Sequence, residues 1–190
     1  MAPGIQRVLA GLIALAAATQ PCAAEKLRFD ELDRGRREFS VHAGYGENHA
    51  IPGPINDRFG MDFIKFRFGR MTSPRSTAAY EVCAGKRLGK GNVLAVSALA
   101  AYRRNFLVRG STALGYDLAV GVVYFTEAIG GQSTKSNFTE QVGLTFQLAT
   151  GANSALTLDY RFCHISNANL KRPNPGINTS TVSIGHTWYR

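Results

Sequence analysis

From about residue 39 onward, large apolar side chains alternate with small or polar ones in long, nearly uninterrupted runs. A period of two belongs to a strand with two unlike faces, because successive side chains point to opposite sides. Eight segments carry it, at roughly 39–46, 61–70, 77–88, 93–103, 112–126, 136–149, 153–166 and 179–189. In the fifth, Leu114, Tyr116, Leu118, Val120, Val122 and Tyr124 alternate with Ala113, Gly115, Asp117, Ala119, Gly121 and Val123. The sixth sets Phe138, Val142, Leu144, Phe146 and Leu148 against Thr139, Gln141, Gly143, Thr145 and Gln147. The seventh sets Leu156, Leu158, Tyr160 and Phe162 against Thr157, Asp159, Arg161 and Cys163.

The alternation alone permits a soluble sandwich or an inside-out barrel. Strand length favours the barrel, since tilted strands of about 10 residues cross a bilayer and eight is the smallest usual number. The expected fold is therefore all-β, an eight-stranded antiparallel transmembrane β-barrel. Its small and polar face, including Asp117, Asp159 and Arg161, fills a narrow interior as a hydrogen-bonded network. The turn near Ala149–Asn153 is tight, whereas 127–135 and 167–178 are long. Such barrels put short turns in the periplasm and long loops outside, so the start of the sixth strand and the end of the seventh meet at the outer surface. One departure is that the sequence finishes Trp188-Tyr189-Arg190, with its aromatic residue penultimate.

Upstream, Arg7 precedes the apolar run 8–18 and then Thr19-Gln20-Pro21-Cys22-Ala23-Ala24, the layout of a signal peptide cleaved after Ala24. The run is too short to span a bilayer, and no later segment is long and apolar enough to form a membrane helix. Residues 25–38 read as a charged leader, either a short helix or a disordered stub, and 39–190 as the barrel. The net charge of +9 becomes +8 without the signal, 21 basic residues against 13 acidic. Charge of this size points to an anionic partner, and export makes nucleic acid an unsuitable one.

Histidine is scarce, and His164 shares the apolar face of Tyr160 and Phe162, two residues before Ser166. A polar pair on a lipid face is expensive unless used. Residues i and i+2 of a strand lie on one face, so the imidazole can take the hydroxyl proton as Ser166 attacks an acyl carbonyl. A polar pair at the water interface would look the same. Neither His42, His49 nor His186 has ligand spacing to cysteines or acids, so no metal site and no cofactor is expected.

The stretch Arg161-Phe-Cys-His-Ile-Ser-Asn-Ala-Asn-Leu-Lys-Arg-Pro-Asn-Pro-Gly-Ile-Asn178 resembles the lipid A 3-O-deacylase family (PagL-type), with its His-x-Ser-Asn motif and Pro-Asn-x-Gly loop. The resemblance continues weakly through 111–126 and Phe138-Thr139-Glu140 and covers about half of the mature chain. It implies an eight-stranded outer-membrane barrel that hydrolyses the ester-linked 3-hydroxyacyl chain at position 3 of lipid A. Carried over by motif, His164 is the general base and Ser166 the nucleophile. Asn174 helps bind the oxyanion, with a backbone N–H near Ser166 or Asn167 as second donor.

The third triad position departs from the pattern: the family carries Glu where this chain has Asn178. An amide can orient the ring but cannot stabilise imidazolium as a charge would. A second carboxylate is available if the 150–152 turn sets the hairpin register. Paired positions then place Phe138 opposite His164 and Glu140 opposite Phe162, on the same outer face. The family has an acidic residue in this region that matters for activity. The alternative is an interfacial Glu140 paired with Lys171 or Arg172. Those two bases, with Lys135 on the neighbouring loop, could bind lipid A phosphates, and Phe138 would line the substrate site.

Cys83 and Cys163 fall on the third and seventh strands and point inward by parity. Nearly opposite in the barrel, they would stand beyond the roughly 7 Å limit for a disulfide, and two free thiols are expected. Three functions fit these observations. The first is an outer-membrane esterase whose partner is lipopolysaccharide. The second is a non-catalytic barrel that binds lipopolysaccharide, having lost the acidic triad member. The third is a soluble periplasmic barrel for a small apolar ligand. The sequence leaves oligomeric state open.

Overall fold

The computed structural model describes residues 25–49, 58–89 and 91–190; the expected signal segment, 1–24, lies outside them. Eight strands follow one another: β1 (Arg37–His49), β2 (Gly60–Ser73), β3 (Ser76–Leu88), β4 (Leu94–Arg109), β5 (Thr112–Phe125), β6 (Ser136–Gly151), β7 (Ser154–Ser166) and β8 (Ile177–Tyr189). Each pairs antiparallel with the next, and β8 closes on β1. Closure leaves no exposed sheet edge, which a bilayer would not tolerate. The connections 74–75, 110–111 and 152–153 are short and lie at one end; 126–135 and 167–176 lie at the other.

The two faces are inverted relative to a soluble protein. Val120, Val142 and Leu144 are about half exposed on the outer wall, while Arg67 and Asp117 are each 1% exposed inside. Four carboxylates, Glu38, Glu81, Asp117 and Asp159, interlock there with Lys65, Arg67, Arg103 and Arg161. Arg67 reaches Glu81 at 2.6 Å, Glu38 at 3.0 Å and Asp117 at 3.0 Å. Arg161 meets Glu81 at 2.7 Å and Asp117 at 3.1 Å. Lys65 holds Asp159 at 2.7 Å, and Thr145 donates to the same carboxylate at 2.8 Å. Buried charges survive only when paired and hydrogen-bonded, and here the pairs tie together six of the eight strands.

Apolar plugs close the barrel on either side of this ionic layer. At the short-turn end the leader folds in: Leu27, Phe29 and Leu32 pack with Met71, Ala113, Ala149, Ala155 and Tyr189. A single 3-10 turn, Phe29–Glu31, carries Phe29 edge-on to Tyr189 at 6.0 Å. The leader is also fastened by Leu27 N–H to Gly151 O and Phe29 N–H to Gly110 O, both 2.8 Å. The leader is thus ordered where a disordered stub was one of two expectations. Tyr189 turns inward and accepts Gln147 Nε2 at 2.6 Å, leaving Trp188 as the outward aromatic residue. At the long-loop end Phe59, Val93, Val123, Phe125, Ile129 and Ile177 form the other plug.

Between that plug and the ionic layer lies a cavity of about 110 Å³ that Cys83 and Cys163 both line. Both thiols are free. Among the described residues no helix is long and apolar enough to cross a membrane.

Candidate active site

The outer faces of β6, β7, β8 and β1 converge at the long-loop end. Glu140 of β6 lies directly opposite His164 of β7, His164 opposite Asn178 of β8, and Asn178 opposite His49 of β1. The four form one row. One step toward the loops, Phe138 stands opposite Ser166. The expected register is therefore corrected by two residues, and the partner of Phe162 is Val142. The cause is the turn, which falls at 152–153 and pairs Gly151 with Ser154; the bulge between Ala149 and Gly151 then takes one residue back, so that Ala149 faces Ala155. A slip of two keeps every side chain on its face, so Glu140 stays outside and moves level with the imidazole.

His164 is half-buried, and its Nδ1 is 2.7 Å from Asn178 Oδ1. A carbonyl oxygen only accepts, so this contact puts the proton on Nδ1 and leaves the lone pair on Nε2. That tautomer is the one that can receive a proton from a serine. Among the described residues no hydrogen bond joins Ser166 to His164; such contacts are often long in unliganded enzymes and tighten with substrate. Glu140 is exposed and makes no ion pair among the described residues, with Lys171 and Arg172 included. Those two bases are themselves exposed at the loop surface, as is Lys135.

The loop 167–176 is clamped over the site. Asn167 is 1% exposed. Its backbone N–H donates to Asn174 Oδ1 at 3.1 Å, and its side-chain Nδ2 donates to Lys171 O at 2.7 Å and Ser133 Oγ at 3.2 Å. Ser133 in turn donates through its hydroxyl to Lys171 O at 2.8 Å and through its N–H to Pro173 O at 3.1 Å. The structure thus brings Asn167 and Asn174 together, with the Asn167 N–H engaged by Asn174. With Oδ1 held in this way, Nδ2 is the donor Asn174 has for an oxyanion, and it lies 3.5 Å from Asn169 Oδ1.

Four contributors escape the sequence reading. Ser133 locks one loop to the other. Leu170, 78% exposed at the loop surface, adds apolar surface to that of Phe138 at 42%. His49 reaches Ser180 Oγ with Nε2 at 3.2 Å and meets the Phe162 ring at 5.6 Å. Gly176 has φ +73, and a Cβ there would come within 2.9 Å of His164 Cε1. Only the Pro-Asn-Pro-Gly spacing hinted at the last. Among the described residues no group of His, Cys, Asp or Glu could hold a metal ion.

A closed eight-stranded barrel with an apolar outer wall, carrying His164, Asn178 and Ser166 on that wall near its long-loop end, defines an outer-membrane-type barrel with a polar cluster on its outward face. The sequence matches the family described as Lipid A 3-O-deacylase (PagL) over residues 58–187, and the chain belongs to that family. Among solved structures it is similar to the outer membrane enzyme PagL, at 20% identity and TM-score 0.61, covering 77% of this chain and 97% of that one. Neisserial surface protein A is similar at 14% identity and TM-score 0.62, covering 81% and 98%. The outer membrane protein OprG from Pseudomonas aeruginosa follows at 9% identity and TM-score 0.51, covering 83% and 98%. These three likenesses are of fold. No protein with a curated description matches the sequence.

Proposed function

We propose that the protein is a lipid A 3-O-deacylase of the outer membrane, a serine esterase that removes the 3-hydroxyacyl chain at position 3 of lipid A. The observation that carries this reading is the 2.7 Å contact between His164 Nδ1 and Asn178 Oδ1, because it prepares Nε2 as a base two residues from a hydroxyl. Ser166 Oγ attacks the acyl carbonyl carbon while its proton passes to Nε2. The oxyanion is met by Asn174 Nδ2. The intermediate collapses, the imidazolium gives its proton to the departing sugar oxygen, and a water activated by the same ring hydrolyses the acyl-enzyme. Glu140, level with the ring on the side away from Asn178, supplies the negative charge that an amide lacks. Phe138 and Leu170 bear on the acyl chain, and Lys171, Arg172 and Lys135 on the phosphates. The site faces outward, so substrate reaches it by sideways diffusion in the outer leaflet.

A second reading, a barrel that binds lipopolysaccharide without cleaving it, draws on Asn178 and on the missing Ser166–His164 hydrogen bond. Mass spectrometry of lipid A incubated with the refolded protein separates the two. Loss of one 3-hydroxyacyl chain, abolished by Ser166→Ala and reduced about 10²-fold or more by Glu140→Gln, is expected. An inert protein that gains activity as Asn178→Glu would be a degenerate site on a sound scaffold. If neither form acts, the binding barrel is the better description.

A further inference from the structure

At the end of the barrel away from His164, three arginines on adjacent strands stand in one row. Arg37 of β1 is the direct cross-strand partner of Arg70 of β2, and Arg37 and Arg190 exchange backbone hydrogen bonds at 2.6 and 2.9 Å. All three are exposed, and by alternation with Phe39, Phe68 and Trp188 they share the outer face. Like charges directly opposite one another on a sheet repel. Even so, none of the three has an acidic partner among the described residues; Arg70 only donates to Gly35 O at 3.3 Å. Glu38, which follows Arg37 in β1, turns its carboxylate inward to Arg67 and Arg103.

The next outward row is aromatic. Phe39 is the direct cross-strand partner of both Trp188 and Phe68. Phe39 stacks on Trp188 at 5.6 Å and leans on Phe68 at 5.2 Å. A groove of about 640 Å³ runs along Arg37 and Arg190 beside Phe39, Phe68 and Trp188, and Glu38 and Gly69 line it too. An aromatic row next to a row of guanidiniums reproduces the layering of a lipid interface, acyl chain beside the ring and phosphate at the cation.

We infer that this row is a binding site for an anionic phospholipid of the leaflet on the short-turn side. The phosphodiester lies across Arg190, Arg37 and Arg70, and the acyl chains descend along Trp188, Phe39 and Phe68. The inference rests on the membrane placement proposed above. Charge selects the occupant: three cations at one level, none in an ion pair among the described residues, favour an anion, and the aromatic row beside them favours one with hydrocarbon attached.

The test uses the mature chain refolded into nanodiscs of phosphatidylcholine doped with phosphatidylglycerol, with retained lipid read by native mass spectrometry. Each sample is first shown to migrate as a heat-modifiable barrel, so that a failure of membrane assembly is read separately from a failure of lipid retention. The unaltered protein should retain phosphatidylglycerol over phosphatidylcholine. Arg37→Gln with Arg70→Gln should lower that preference about tenfold. Arg75→Gln with Arg109→Gln, which removes the same charge from the neighbouring turns, should leave it in place, and added inorganic phosphate should not strip the lipid. The site is refuted if the first pair retains lipid like the unaltered chain, if the turn pair loses as much, or if phosphate alone displaces it.

Discussion

Gly176 shows how narrowly the site is fitted. Its positive φ already excludes most side chains, and the 2.9 Å that a Cβ would leave to His164 Cε1 excludes the rest unless the ring moves. Gly176→Ala should lower kcat on lipid A about 10²-fold, the usual consequence of displacing a catalytic group by about 1 Å. Heat-modifiable migration should be retained, and a turnover assay beside a gel shift checks both. The residues proposed for this chemistry were readable because most lie within one continuous stretch: His164, Ser166, Asn174 and Asn178 keep a local spacing that survives without any structure. Ser133 could not be read that way. Its role is three hydrogen bonds to the 167–176 loop, and a lone serine in a polar loop carries no signal of its partner.

Among the elements, the strands were legible and their relative register was not. Parity fixed Glu140 on the outer face, since a strand tells in from out by alternation alone. Its level depended on where the turn falls and on a bulge between Ala149 and Gly151, neither of which has a pattern of its own, and the outcome was a neighbour of Phe162 in expectation and of His164 in fact. The leader was misleading for a related reason. Leu27, Phe29 and Leu32 follow neither the strand nor the helix period, and charged residues surround them. They are nevertheless among the most buried side chains of the short-turn end, and Phe29 is 1% exposed. Phe29→Ala should destabilise the barrel by about 3–5 kcal/mol, read as a lower denaturant midpoint for unfolding from detergent micelles.

On the scale of the whole molecule, the bore is organised around charge rather than around a hydrophobic core. Arg67 is the clearest joint, touching Glu38, Glu81 and Asp117 from three other strands. Arg67→Met would leave those carboxylates short of a partner in a dry interior, and a loss of about 3–5 kcal/mol is expected, measured by the same unfolding assay. The sequence showed that Asp117, Asp159 and Arg161 face inward. Which charge meets which is set by the stagger of the closed sheet, a property of all eight strands together.

The ionic layer lies across the bore with an apolar plug at each end. A barrel stoppered in this way offers small polar solutes no open path through its bore, unlike a porin. However many copies a cell inserts, the membrane around them gains no leak.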